Sequence, residues 1–168
     1  MSHKKILDYI QNEQLKTFST WDKFSTKSLG EAMGLYWIWT KIPIEDLQKI
    51  PVANPANNSE VNISKLAKER SDLKNIFNNP RDGYTVVYNG KGILKYRINQ
   101  EFNNSSEGTG TLSLAKREGF NSKDWAVSFF DFNDEKHKKA LDSLSFSDAT
   151  DLERNWRIEF GIPILSRN

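Results

Sequence analysis

Three short runs of aromatic and β-branched residues, set far apart along the chain, constrain its fold more than any other feature. The first, Gly34-Leu35-Tyr36-Trp37-Ile38-Trp39, is ended by Pro43; the second runs from Tyr84 to Tyr88 and the third from Trp125 to Phe132. Such side chains suit a pleated, half-buried surface, so each run is predicted as a strand. The segments around them carry helical spacing instead. Ile6, Tyr9, Ile10 and Leu15 predict a helix over 4–17, and Ile63, Leu66, Ala67, Leu73, Ile76 and Phe77 predict another over 60–77. Ile93, Tyr96, Arg97 and Phe102 predict a helix after the second strand, LSLAKREG a short one capped by Gly119, and 134–144 and 148–160 two more. Asn89-Gly90 is a turn signal that would reverse the chain after Tyr88. Strands interleaved with helices imply an α+β domain with a small three-stranded, mainly antiparallel sheet flanked by helices.

A chain of 168 residues suits one domain, 1–168. Residues 1–33 form an N-terminal helical extension, and 41–82 an insertion carrying a helix, bounded by the loop PVANPANNSE. The absence of cysteine excludes thiolate nucleophiles, zinc–thiolate sites and disulfides. Of the two histidines, His3 is terminal and His137, among Lys136, Lys138 and Lys139, reads as a solvated helix residue. The charged N-terminus lacks the apolar core of a signal peptide, and no run approaches about 18 apolar residues, so a cytoplasmic, non-membrane protein is expected. A net charge of +2 does not declare a nucleic-acid binder, so basic residues must be weighed by position.

Five elements follow one another in a meaningful order. Gly34-Leu35-Tyr36 lies on the first strand, Tyr88-Asn89-Gly90 with Lys91 ends the second, Arg97 is on the next helix, a third strand follows, and Glu153 opens a helix ten residues before Pro163. This order resembles the GIY-YIG nucleases, found in excision-repair incision subunits, phage homing endonucleases and some restriction enzymes. The resemblance spans residues 34–166 and rests on the sequence of motifs rather than on any one of them. Three departures stand out: an insertion replaces the short hairpin between the tyrosine strands, Asn89 stands where a hydrophobe is usual, and Ser166, with Asn168 beyond it, replaces an asparagine after the proline. Tyr84 is the alternative to Tyr88 as the second tyrosine.

The resemblance implies a GIY-YIG-like fold and a metal-dependent endonuclease that hydrolyses DNA phosphodiester bonds, of restriction or mobile-element type. Such hydrolysis needs a base for water, cations for the charge developing on phosphoryl oxygens, and stabilisation of the leaving oxygen. Glu153 would hold Mg²⁺ or Mn²⁺, with waters completing its shell. Arg97 would face the phosphoryl charge, Lys91 would add a second cation and lower a tyrosine pKa, and Tyr36 or Tyr88 would be the base, Tyr36 preferred. Taken singly, both tyrosines read as sheet packing, Lys91 and Arg97 as a solvated face, and Glu153 as a first-turn carboxylate. Glu159 competes with Glu153 but falls on another face of the helix and could pair with Arg157. Lys65, Lys68, Arg70 and Lys74 could contact phosphates or form an ordinary solvated helix face. Asn-rich loops at 54–58, 78–79 and 103–104 could read base edges or simply turn. RNA as substrate, a homodimer, an RNA-cutting toxin or effector, and a catalytically inactive nucleic-acid or protein-binding module remain alternatives.

Overall fold

The computed structural model describes residues 3–54, 60–103, 110–142 and 149–166. Asn168, the core of the loop at 55–59, most of the Gly/Ser-rich connection at 104–109 and the expected helix termini at 143–144 and Asp148 lie outside them. Helix α1 (His3–Lys16) leads into a two-residue strand β1 (Ser19–Thr20), then β2 (Met33–Thr40) and the single turn α2 (Ile44–Leu47). Helix α3 (Ile63–Arg70), β3 (Thr85–Ile93), α4 (Leu94–Asn103), β4 (Trp125–Asp131), α5 (Glu135–Leu141) and α6 (Ala149–Phe160) follow. The protein is therefore α+β, with an antiparallel four-stranded sheet in the order β1-β4-β2-β3. The three expected strands form its body. β1 adds a short edge that has no hydrophobic run to announce it.

Alternation along β2 splits the interior into two layers, because successive side chains of a strand point to opposite faces. Tyr36 and Ile38 join a cluster with Tyr88, Leu94, Ile98, Phe102 and Val127 under α4. Leu35, Trp37 and Trp39 join another with Ile6, Ile10, Phe130 and Trp156 under α1 and α6. β2 is buried on both faces, which explains its uninterrupted apolar composition.

Asn89-Gly90 is not a turn. Both residues lie inside β3, Asn89 opposite Trp37 and Gly90 opposite Tyr36. Two tertiary contacts override the local signal: the Tyr36 phenol lies where a Cβ of Gly90 would be, and the Asn89 side chain is held by Arg157 and Ser166. The helix expected over 60–77 is also shorter. Asn62 caps it through Lys65 N at 2.9 Å, and it ends at Arg70, after which the chain turns and Ile76 forms a parallel bridge with Ile162. LSLAKREG provides only the 3₁₀ turn Leu114–Lys116. The 41–82 segment is tied to the rest of the chain by a buried ion pair, Arg117 to Glu60 at 2.9 Å. Arg117 also donates to the carbonyls of Leu112, Pro51 and Val61, while Glu60 accepts from Ala53 N and Asn54 N. Among the described residues no helix is long and apolar enough to cross a membrane.

Candidate active site

β2 brings Tyr36 into the sheet centre, fully buried, with its hydroxyl donating to Glu101 Oε1 at 2.7 Å. Tyr88 comes from β3 with its ring centroid 6.2 Å from that of Tyr36, and at 9% exposure it is the more accessible phenol. Arg97 arrives from α4. Its side chain lies over Gly92, whose φ of +132° and missing Cβ admit it, and it reaches Gln100 Oε1 at 2.8 Å and Glu101 Oε1 at 3.3 Å. The second carboxylate oxygen of Glu101 accepts from Leu112 N at 2.9 Å. Glu101, wholly buried, is thus the hub of this face.

Lys91 and Glu153 lie on the opposite face. Lys91 is opposite Leu35, in the layer that α6 covers. Its ammonium contacts Thr150 and stands 3.9 Å from Glu153 Oε2. Glu153 Oε1 accepts from Arg157 Nη2 at 2.7 Å, and Arg157 Nε donates to Asn89 Oδ1 at 2.8 Å. The five expected residues therefore do not share one concave face. They straddle β3, three on one side and two on the other. The groups still act on one another across this edge strand: Glu153 raises the Tyr88 pKa, and Arg97 favours the ionised form of Glu153.

Burial dominates the electrostatics. It pushes the Tyr36 phenol well above its ordinary value, with Glu101 adding to the effect, and it does the same for Tyr88. The expected lowering of a tyrosine pKa by Lys91 does not occur, because Lys91 is on the other face and serves Glu153. Nor does Tyr36 suit the role of base better, since it has no exposed surface and its hydroxyl already donates a hydrogen bond to a carboxylate. Burial also pushes Glu101 and Glu153 above the usual carboxylate value; Arg157 and Lys91 act against this at Glu153.

Other expectations change with the tertiary contacts. Tyr84 donates to Lys123 O at 2.5 Å and packs in the other layer, so Tyr88 is the tyrosine that shares a cluster with Tyr36. Glu159 pairs with Lys4 at 2.5 Å, not with Arg157. His137 is buried rather than solvated: Nδ1 is 2.6 Å from Asp131 O, the ring stacks on Phe130 and Nε2 faces Glu13 at 3.6 Å. Arg70 is committed to the carbonyls of Ile164 and Ser166, which removes it from the phosphate-contacting set. Lys65, Lys68 and Lys74 are exposed, with Lys65 3.9 Å from Glu69. Ser166 is neither a ligand nor idle; its hydroxyl accepts from Asn89 N and donates to Asn89 Oδ1, both at 3.0 Å.

Glu101 and Arg157 had no place in the motif, and Asn89 stood in it only as a departure. Glu101 and Arg157 each lie four residues beyond a motif member, Arg97 and Glu153, which is the spacing that pairs side chains on a helix. Among the described residues no three His, Cys, Asp or Glu side chains gather as a metal-binding group. Comparison with family models, curated proteins and solved structures gives no match to this chain.

Proposed function

We propose that this protein is a metal-dependent endonuclease of GIY-YIG type that hydrolyses phosphodiester bonds in DNA. The observation that carries this is the approach of Tyr88, Arg97 and Glu153 around β3, each delivered by a different element and in the chain order of the family it resembles. Structural packing alone does not require a phenol, a guanidinium and a carboxylate within one another's fields at the edge of a sheet.

The donor set at Glu153 suits a hard divalent ion held by one carboxylate and water: Oε1 is taken by Arg157, while among the described residues the cation nearest Oε2 is Lys91, at 3.9 Å, beyond hydrogen-bond length. Mg²⁺ or Mn²⁺ bound there would supply Lewis-acid stabilisation of the leaving oxygen. Arg157 and Lys91 favour the ionised form of Glu153 and so oppose the effect of its burial. Arg97 presents a guanidinium suited to two phosphoryl oxygens, and Tyr88 is the less buried of the two phenols. Exposed Lys65, Lys68 and Lys74 would meet the backbone of a duplex without reading sequence.

Nicking of supercoiled plasmid with Mg²⁺ or Mn²⁺ tests the proposal. Wild type should cleave, and Glu153→Ala should lose about 100-fold or more of the rate, the scale of losing several kcal/mol of transition-state stabilisation. Cleavage by Glu153→Ala at the wild-type rate would refute the assignment. The complete burial of Tyr36 favours a second reading, a nucleic-acid-binding module on this scaffold without catalysis. Salt-sensitive binding without cleavage of DNA or RNA by the wild type would select it.

A further inference from the structure

The solvent-facing side of α6 carries a recess that the groups around Glu153 leave unused. It measures about 480 Å³ and is lined by Asn75, Arg154, Arg157, Ile158, Gly161 and Ile162, with two guanidiniums and no carboxylate among the described residues. Ile158 is 81% exposed, against 50% for Leu73, the next most exposed large apolar side chain among the described residues. A single exposed isoleucine on a helix needs no explanation. This one has company, because Ile162 shares the recess and gives it an apolar lining beside the two cations. Arg154, also exposed, stands four residues before Ile158 on the same side of the helix. Arg157 links the recess to the candidate active site, since it donates to Glu153 Oε1 at 2.7 Å and to Asn89 Oδ1 at 2.8 Å.

The recess is preformed. Ile162 N donates to Asn75 O at 2.9 Å and Phe77 N to Ile162 O at 3.0 Å, which closes the chain at 75–77 against the end of α6. Gly161, at φ +109°, permits this approach, because a Cβ there would meet Asn75 O at 3.0 Å. Guanidiniums suit phosphate oxygens, but an isoleucine lining gains nothing from a phosphate. It gains from the flat face of a base. A continuous duplex keeps those faces stacked and offers only base edges and backbone, whereas an unpaired nucleotide offers a face and a phosphate together. We propose that this recess is a nucleotide subsite for the DNA substrate, taking one unpaired base against Ile158 and Ile162, with its phosphate on Arg154 and its edge toward the Asn75 amide. The strand then passes Arg157 to reach Glu153. The placing of this subsite beside the cut rests on the nuclease reading, and it names the substrate class: DNA with an unstacked nucleotide next to the scissile bond.

Fluorescence anisotropy without added metal, so that no cleavage intervenes, compares a fully paired DNA duplex with the same duplex carrying one unpaired nucleotide. Wild type should bind the bulged duplex about tenfold more tightly, the order expected for taking one isoleucine side chain out of water. Ile158→Ser should abolish that preference by weakening the bulged complex alone. Arg154→Gln should weaken the bulged complex and lower its salt slope by about one. Both side chains are exposed, so melting temperatures of the variants should match wild type. Equal affinity of wild type for the two duplexes, or a preference that survives in Ile158→Ser, overturns the subsite; plasmid nicking by wild type under either result leaves the nuclease reading standing. A preference that Ile158→Ser abolishes, with no metal-dependent cleavage of either duplex by wild type, supports the subsite as a binding site and overturns the nuclease reading instead.

Discussion

At the scale of single residues, the glycines of the two tyrosine strands show how little freedom the site has. Gly90 is required because the Tyr36 phenol occupies the space of its Cβ, not because the backbone is unusual there. Gly90→Ala should destabilise the protein by about 1–3 kcal/mol in urea unfolding, the usual cost of overpacking, and by clearly less in a Tyr36→Leu background. Tyr36 itself makes stability depend on alkaline pH. Its folded-state pKa lies above the unfolded value of about 10, so at high pH the unfolded chain releases a proton that the folded one retains. The stability it contributes is therefore intact below about pH 10 and declines as pH rises above it; Tyr36→Phe should flatten that decline in melts recorded across the alkaline range.

Among the elements, α6 and the insertion are held by few but decisive contacts. Trp156 packs against Trp37 and Phe77, and through it α6 keeps Glu153 and Arg157 against β3. Trp156→Ala should cost about 3–5 kcal/mol, seen as a lowered melting temperature, and under the proposed nuclease function it should also silence the nicking assay with Glu153 in place. The Arg117–Glu60 pair clamps the 41–82 segment, with both side chains almost wholly buried. Arg117→Met should cost about 3–5 kcal/mol because it strands a buried carboxylate, and Arg117→Met with Glu60→Gln should cost less than the two single changes together, a comparison thermal melts can make.

On the scale of the whole molecule, the sheet is both partition and bridge. Its two layers are chemically separate, yet β3 is an edge strand, so groups on either side influence one another around it. The outer side of β3 is not left open: Leu165 N donates to Val87 O at 2.7 Å, Ser166 meets Asn89, and Arg157 reaches Asn89 O at 3.2 Å. The C-terminal segment thus takes the place of a further strand and protects an edge that would otherwise invite pairing. If nucleic acid lies along the exposed lysines after α2, Lys68→Glu with Lys74→Glu should weaken binding for all sequences alike and reduce its salt dependence, as fluorescence anisotropy at several salt concentrations would report.

The strands and most helices were legible from the chain alone, because period-2 and period-3.6 burial patterns are local signals that long segments carry without help. The order of Tyr88, Arg97 and Glu153 along the chain was legible too, and it is the structure that brings them near one another around β3. What the sequence could not reveal is which face each residue occupies, since that depends on pairing register: the bulge in β3 between the partners of Ile38 and Trp39 decides it. Local chemistry misled wherever a distant group intervened. Asn89-Gly90 reads as a turn until Tyr36, Arg157 and Ser166 hold it extended, and His137 reads as solvated until Phe130 and Glu13 enclose it. Glu101 stayed hidden for the same reason. Its charge suggests solvent, and only the convergence of two strands and a helix makes it the buried centre of the site.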